Sequence, residues 1–194
     1  MKKKILSLFI VAATLFGCDV TQEFTGAYNM LNCEYKYQSL TGFSVAGIDI
    51  SRGLSLTDIP KVTAVFSSNA KSIPLNFTVN VDVKNPHRSA ALLHGLDYIL
   101  SVDGIQFSKG SVTQSLSIPG GGTQTLPVNV GTDLAVLMKG KSKDAVIDIV
   151  KNMTGVNSKQ SNVTVQIRPT FMVSKKQVTA PNYIPISFSF GGRQ

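Results

Sequence analysis

The sequence is poor in the residues on which most enzymes and metal sites depend. Its 194 residues include two cysteines, two histidines and no tryptophan, and charged residues make up only 15% of the chain. Two cysteines cannot build a disulfide framework. His87 and His94 are seven residues apart with no acid between them, so they suit neither a zinc site nor a hydrolytic triad. We therefore expect a protein that is not an enzyme and that has no metal and no cofactor.

Other kinds of site also lack their usual patterns. Lys and Arg are not clustered in runs interleaved with aromatic residues, so no nucleic-acid partner is expected. The stretch Gly120–Gly122 is not followed by Lys and Ser or Thr, so it does not match a phosphate-binding loop. Asp82, Asp97 and Asp103 lie on or beside predicted strands, and we interpret them as isolated, solvated acids.

Long hydrophobic runs are also scarce, and the one at the amino terminus is too short to span a bilayer. Lys2–Lys4 precede the apolar residues Ile5–Phe16, which end at Gly17 and Cys18. This pattern is typical of a signal peptide. The segment Leu15-Phe16-Gly17-Cys18 resembles the lipobox of bacterial lipoproteins, in which the cysteine receives a diacylglyceryl group. Two other interpretations remain: a secreted protein with a chance cysteine, or an uncleaved anchor.

The lipobox resemblance implies a domain organisation and a partner. Residues 1–17 are a signal peptide that is removed, and residues 18–32 form a lipidated tether. Residues 33–194 form a single domain. Acyl chains on Cys18, palmitate among them, hold the protein to a membrane, because two or more chains bind stably. We thus expect a bacterial cell-envelope protein, with the choice of membrane left open. Cys33 then has no partner, and we interpret it as a buried, inert thiol.

Alternation of apolar and polar residues dominates the rest of the chain. Apolar residues occupy every odd position from Leu75 to Val83, which indicates a strand with one buried face. Asp103-Gly104 predicts a tight hairpin, and Pro119–Gly122 predicts a second turn. Further strands are predicted at 96–102, 112–118, 126–130, 163–167 and 184–190, weaker strands at Tyr35–Leu40, Phe43–Ile50 and Val62–Phe66, and a weaker turn at Ser67–Ala70.

One region has helical spacing instead. Within Ser142–Thr154 the apolar residues recur every three or four positions, with Asp144 near the start and Gly155 just beyond the end. A shorter helix is predicted from Thr132 through Met138. The fold class predicted is mainly β: an immunoglobulin-like or fibronectin-III-like antiparallel β-sandwich of about seven strands, with one or two short helices near residues 133–154. The longer helix is expected to cover an open end of this sandwich.

One long segment also points to a family. Residues Ile73–Pro86 resemble the first conserved block of the LEA type 2 domain, also called the water-stress and hypersensitive-response domain, where an alternating strand runs into an Asn-Pro pair. The later turns, helix and final strands follow in the family's order over residues 40–190. The resemblance implies a compact seven-stranded sandwich without known catalytic residues, from a family associated with desiccation and other stresses.

The leading hypothesis is a non-enzymatic, lipid-anchored envelope protein that acts as a binding or stress-protective module. An alternative is a carrier that holds a lipid or another apolar ligand between the sheets or under the helix. A further alternative is an adhesin or a subunit of an envelope assembly, with a protein partner. The aromatic residues that either line a pocket or fill the core are Phe77, Phe107, Phe171, Phe188 and Phe190.

Overall fold

Strands form most of the molecule, as the alternating pattern predicts. The computed structural model describes residues 17–51, 55, 57–67, 70–140 and 143–192. Within these residues the strands are β1 (Glu34–Val45), β2 (Ile48–Asp49), β3 (Pro74–Lys84), β4 (Ala91–Leu93), β5 (Gly95–Val102), β6 (Ile105–Val112), β7 (Leu116–Ile118), β8 (Thr123–Asp133), β9 (Ser161–Val173), β10 (Lys176–Thr179) and β11 (Ile184–Phe190). The helices are α1 (Gly17–Leu31), α2 (Ile59–Ser67), α3 (Leu134–Gly140) and α4 (Lys143–Met153). The prediction of a mainly β, antiparallel fold is confirmed.

The strands pair in two main antiparallel sheets. The first sheet has four strands in the order β2-β1-β3-β8. The second has five, in the order β10-β9-β5-β6, with β11 also paired to β9. Strand β9 is long enough for two partners on one edge, because β11 pairs with residues 161–167 and β10 with residues 170–173. A short ladder of β4 and β7 lies apart from these sheets.

Both sheets contribute to one hydrophobic core. Alternate residues of β3 are at most 3% exposed: Leu75, Phe77, Val79, Val81 and Val83. Leu100 on β5 and Val165 on β9 are buried in the same cluster. Burying a side chain of this size contributes about 1.5–3 kcal/mol. The predicted buried face of this strand is therefore confirmed, and it forms the centre of the core.

The two strongest turn predictions are confirmed as well. Asp103 and Gly104 have φ of 48° and 79° and join β5 to β6. The carboxylate of Asp103 also accepts a hydrogen bond from the backbone N–H of Asn162 at 2.8 Å, which fixes the hairpin to β9. At the second turn the N–H of Gly122 donates to the carbonyl of Pro119 at 3.0 Å. The weaker Ser67–Ala70 turn includes residues 68–69, which lie outside the described residues.

The helices predicted near residues 133–154 are present as α3 and α4. Asp133 begins α3, since its Oδ1 accepts hydrogen bonds from the N–H groups of Ala135 and Ile73, both at 2.9 Å. These bonds lower the pKa of Asp133, the Ile73 bond most strongly. Helix α4 turns its apolar stripe to the core, with Val146, Ile149, Val150 and Met153 buried. The helical spacing read from the sequence thus corresponds to the buried face.

The weak strand predicted at Val62–Phe66 is wrong, because these residues belong to α2. Val62 and Phe66 are both buried, and a spacing of four residues places two side chains on one helical face as well as on one face of a strand. The N–H of Val62 donates to the carbonyl of Asp58 at 2.9 Å, which starts the helical hydrogen bonds. This short run of apolar residues is compatible with the period of a strand and with that of a helix, and the structure shows the helix.

The segment predicted as a tether, residues 18–32, is helical over α1 (Gly17–Leu31). Ala27 and Met30 are buried on one side of this helix, whereas Phe24, Tyr28 and Leu31 are exposed on another. Because apolar residues occupy two faces, the sequence shows no single apolar stripe, and its helical period is hidden. Residues 1–16 of the predicted signal peptide lie outside the described residues.

Candidate functional site

The two histidines lie on separate loops and are both half-buried. The ring of His87 lies 6.0 Å from the ring of Tyr28. The backbone N–H of His94 donates to the carbonyl of Thr170 at 2.8 Å. In the described part of the chain, no three His, Cys, Asp or Glu side chains are placed to hold a metal ion.

The acidic residues singled out in the sequence are engaged in hydrogen bonds. Asp97 accepts from Arg168 at 2.6 Å and from Ser111 at 2.7 Å. The Ser111 bond, followed by the Arg168 bond, lowers the pKa of Asp97. Asp82 accepts from the hydroxyl of Thr125 at 2.8 Å. The interpretation as isolated acids therefore fails for Asp97, which belongs to an ion pair across β5 and β9.

Cys33 is a free, half-buried thiol at the junction of α1 and β1. Burial raises the pKa of Cys33 to about 11. A thiol with this pKa stays protonated at neutral pH, and the protonated form is the unreactive one. The structure thus supports the interpretation of Cys33 as an inert residue. Cys18 lies at the start of α1.

The Asn-Pro pair that ends β3 has a structural role. Asn85 is fully buried. Its side-chain amide donates to the carbonyls of Ser89, Ile118 and Pro119 at 2.8, 3.1 and 3.2 Å. Its Oδ1 accepts from the N–H of His87 at 3.0 Å. The side-chain amide of Asn85 therefore forms hydrogen bonds with backbone groups of two loops. These bonds explain why an Asn follows the strand.

A cleft opens between β1, β11 and the end of α4. It has a volume of about 420 Å³. Apolar side chains from all three elements line it: Tyr37, Leu40, Phe43, Ile50, Met153 and Phe190. Solvent-exposed polar residues lie at its edge: Ser51, Gln160 and Ser189. This aromatic cleft is the candidate binding site.

Contacts between aromatic rings hold the walls of the cleft together. The ring of Tyr37 stacks on that of Phe188 at 3.7 Å between centroids and an angle of 10°. Phe43 packs tilted against Phe77 at 5.4 Å and against Phe190 at 6.2 Å. Such pairs contribute about 0.5–1.5 kcal/mol each beyond the area they bury. Two of these pairs join β1 of the first sheet to β11 of the second.

The cleft combines apolar side chains with polar groups. Its volume falls within the range of about 300–1,000 Å³ that small-molecule sites occupy, and its apolar walls suit an apolar or aromatic group. Burial raises the pKa of Tyr37, so its hydroxyl is neutral at physiological pH. The described residues that line the cleft include no His, Cys, Asp or Glu.

The sequence predicted part of this site. Of the five phenylalanines considered for a pocket, Phe190 lines the cleft, and Phe188 supports it through Tyr37. The other three are buried in the core: Phe77, Phe107 and Phe171. The contribution of β1 was missed, because contact between the first and last long strands is not a local pattern.

A second groove lies between α2 and α4. Its volume is about 310 Å³, and Val62, Phe66, Ile147 and Val150 form its apolar walls. Lys143 and Asp144 lie at its edge, where α4 begins. Sequence reasoning missed this groove because α2 was interpreted as a strand.

In the described part of the chain no helix is long and apolar enough to cross a membrane.

Comparison with known families gives one match. The sequence profile of the family described as late embryogenesis abundant protein, LEA type 2, matches residues 80–182, which is just over half of the chain. The match begins within β3 and includes the Asn-Pro pair, both main turns, and helices α3 and α4. A search of curated protein sequences finds no match.

Comparison with solved structures gives matches that are distant in sequence and have low TM-scores. A crystal structure of a protein from Archaeoglobus fulgidus has 11% identity and a TM-score of 0.40, covering 80% of this chain and 99% of that one. A solution structure of a protein from Arabidopsis thaliana has 13% identity and a TM-score of 0.44, covering 66% and 76%. A solution structure of a candidate late embryogenesis abundant (LEA) protein has 15% identity and a TM-score of 0.41, covering 96% and 89%.

Proposed function

The chain belongs to the late embryogenesis abundant family, and from that premise we propose that it is a non-enzymatic, lipid-anchored module that protects the bacterial cell envelope under water stress. The family match over residues 80–182 is the observation that carries this proposal. The LEA type 2 family is associated with stress and is generally non-enzymatic.

The protective role is tested in a deletion strain of the source bacterium. We expect lower survival after drying and after osmotic shock, and leakage of periplasmic contents. A chromosomal copy of the wild-type chain should restore survival, and a copy carrying Cys18→Ser should not, because protection is needed at the membrane. Normal survival and normal envelope integrity of the deletion strain would contradict the protective role.

Lipid attachment is the second part of the proposal. Its support is the leader: Lys2–Lys4, the apolar run Ile5–Phe16 and the cysteine at position 18. Cells labelled with radioactive palmitate should incorporate label into the wild-type chain and into Cys33→Ser, the matched control that removes the other cysteine. Cys18→Ser should lose both the label and its place in the membrane fraction. Label that persists in Cys18→Ser would rule out this site.

We also propose that the two sheets form a sandwich of the immunoglobulin or fibronectin-III kind. Seven of the strands in the described chain have seven or more residues, and both sheets share one core. Four shorter strands extend the edges and the β4–β7 ladder. An experimental structure in which the two sheets do not pack face to face would refute this assignment.

The aromatic cleft favours a second candidate function, a carrier of an apolar small molecule. Its preformed volume of about 420 Å³ and its aromatic walls motivate this candidate. Native mass spectrometry of the protein extracted from membranes should show a non-covalent adduct that denaturation releases. Ser51→Trp would fill the cleft and remove the adduct, whereas Ser187→Trp, on the exposed side of β11, would keep it. A wild-type protein free of adducts would count against a carrier.

A further inference from the structure

Helix α1 carries most of the large exposed hydrophobic side chains in the described chain. Of five large hydrophobic side chains that are exposed, three lie on this helix: Phe24, Tyr28 and Leu31, at 60%, 62% and 40% exposure. Their spacing of four and three residues places them on one face. Half-buried Val20 continues this face one turn towards the amino terminus. We call these four residues the apolar stripe of α1.

The other side of α1 is fixed to the domain. Ala27 and Met30 are buried at 9% and 1% exposure. The side-chain amide of Asn29 donates to the carbonyl of Ser89 at 3.1 Å and to the carbonyl of Ala90 at 3.1 Å. The hydroxyl of Tyr35 donates to the carbonyl of Met30 at 2.5 Å. Since this side is held in place, the apolar stripe points away from the folded domain.

Positive charge lies at both flanks of the helix. The carboxylate of Glu23 accepts a hydrogen bond from the N–H of Ser174 at 2.7 Å, which holds the turn with Lys175 and Lys176 beside the helix. Towards the other end, the contact between Tyr28 and His87 places the loop with Arg88 next to the stripe. Lys175, Lys176 and Arg88 are all exposed. Basic residues around an apolar face match the anionic headgroups of a bilayer.

We propose that the apolar stripe of α1 lies in the headgroup region of the membrane and docks the folded domain onto an anionic phospholipid surface. The inference rests on the lipid anchor proposed above. Helix α1 includes position 18 itself, so no flexible linker separates the anchor from the stripe. Phe24 is six residues from Cys18, or about 9 Å along the helix axis. Tyr is enriched at the membrane–water interface, and Phe and Leu are typical of the apolar face of interfacial helices.

Docking of α1 would fix the orientation of the folded domain on the membrane. A protein on a flexible tether would tumble above the membrane, whereas docking of α1 turns one side of the domain to the lipid. Helix α1 packs on β4 and β9, so these strands would lie nearest the bilayer. The aromatic cleft is formed by β1, β11 and the end of α4. It therefore does not include β4 or β9, the strands next to the bilayer.

The absence of tryptophan in the chain makes a clean test possible. Phe24→Trp places a single fluorophore in the apolar stripe. The matched control is Val136→Trp on α3, because Val136 is 63% exposed and lies outside the stripe. Both lipidated proteins are purified and reconstituted into vesicles of phosphatidylethanolamine and phosphatidylglycerol, with and without brominated acyl chains. Flotation in a density gradient reports the lipid anchor independently of fluorescence.

We expect both variants to float with the vesicles, and only the tryptophan of Phe24→Trp to shift its emission to shorter wavelength and to lose most of its intensity to the brominated lipid. Flotation with an unshifted, unquenched Phe24→Trp would overturn the docking and leave the anchor intact. Failure of both proteins to float would overturn the anchor and the docking together. A blue shift that appears without vesicles and grows with protein concentration would assign the stripe to a second copy of the chain, and would also overturn the proposal.

Discussion

At the residue scale, buried polar groups decide which substitutions the domain tolerates. Asn85 is the clearest example, since it is fully buried and its amide donates to three backbone carbonyls. A buried acceptor that loses its donor costs about 1–3 kcal/mol, whereas an average hydrogen bond contributes only about 1 kcal/mol. Asn85 therefore has a structural role in these loops, whatever the protein binds.

The first prediction concerns Asn85→Ala. We expect the free energy of unfolding to fall by about 1–3 kcal/mol, because the buried carbonyl of Ile118 loses its donor. Urea denaturation followed by circular dichroism measures the change. The matched control is Asn129→Ala on β8, where the exposed amide oxygen accepts a bond from Thr78 at 2.8 Å. Equal losses in the two variants would contradict the structural role of Asn85.

The second prediction concerns Asp97 and pH. Hydrogen bonds from Ser111 and Arg168 lower its pKa below the usual 3.8 in the folded state. The carboxylate therefore stabilises the fold above pH 4, and this contribution is lost as pH falls through the folded-state pKa. Asp97→Asn should be less stable than wild type at pH 7, and the difference should vanish in stronger acid. Solvent screening weakens this contribution, because the Asp97 side chain is one-third exposed.

Urea midpoints measured from pH 7 down to pH 2 test this expectation. Asp148→Asn serves as the control, since it removes an exposed carboxylate from α4 without touching the ion pair. The urea midpoints of Asp97→Asn and wild type could instead differ by a constant amount over the whole pH range. That result would show that the charge of Asp97 does not cause the difference in stability.

At the element scale, the hairpin of β5 and β6 depends on two residues with positive φ. Gly104 has φ of 79°, and a methyl group added there would meet no atom within 4 Å. The cost of Gly104→Ala is thus backbone strain alone, about 1 kcal/mol. Gly104→Asn should cost less, because Asn adopts this conformation more readily. Unfolding midpoints of the two variants give the comparison, and a more stable Ala variant would contradict the turn assignment.

The same elements show why some structure was predictable and some was not. Strand β3, the Asp103-Gly104 turn and helix α4 depend on local patterns, namely alternation, turn residues and a single apolar stripe. Helix α2 was missed because Val62 and Phe66 fit both periods. Helix α1 was missed because its apolar residues occupy two faces, and only contact with β4 determines which one is buried. The aromatic cleft needed the meeting of β1 and β11, which no local pattern encodes.

At the scale of the whole molecule, α1 joins the amino terminus to the folded domain. It packs on β4 and β9, and Gly26 lies so close to Leu92 that an added Cβ would come within 2.5 Å of that side chain. This close packing is not expected of a tether. The folded unit should therefore begin before position 33, so that any lipid on Cys18 would attach to the domain itself.

Removing α1 tests this directly. We expect the chain of residues 33–194 to be less stable than residues 18–194 carrying Cys18→Ser by more than about 3 kcal/mol, because loss of a buried residue such as Met30 alone costs about 2–5 kcal/mol. The double substitution Phe24→Ser and Tyr28→Ser keeps the buried face and should leave the urea midpoint unchanged. Equal stability of the two lengths would show that α1 is a tether after all. If only the shortened chain loses stability, α1 is part of the folded core. Its exposed face then remains available to bind lipid.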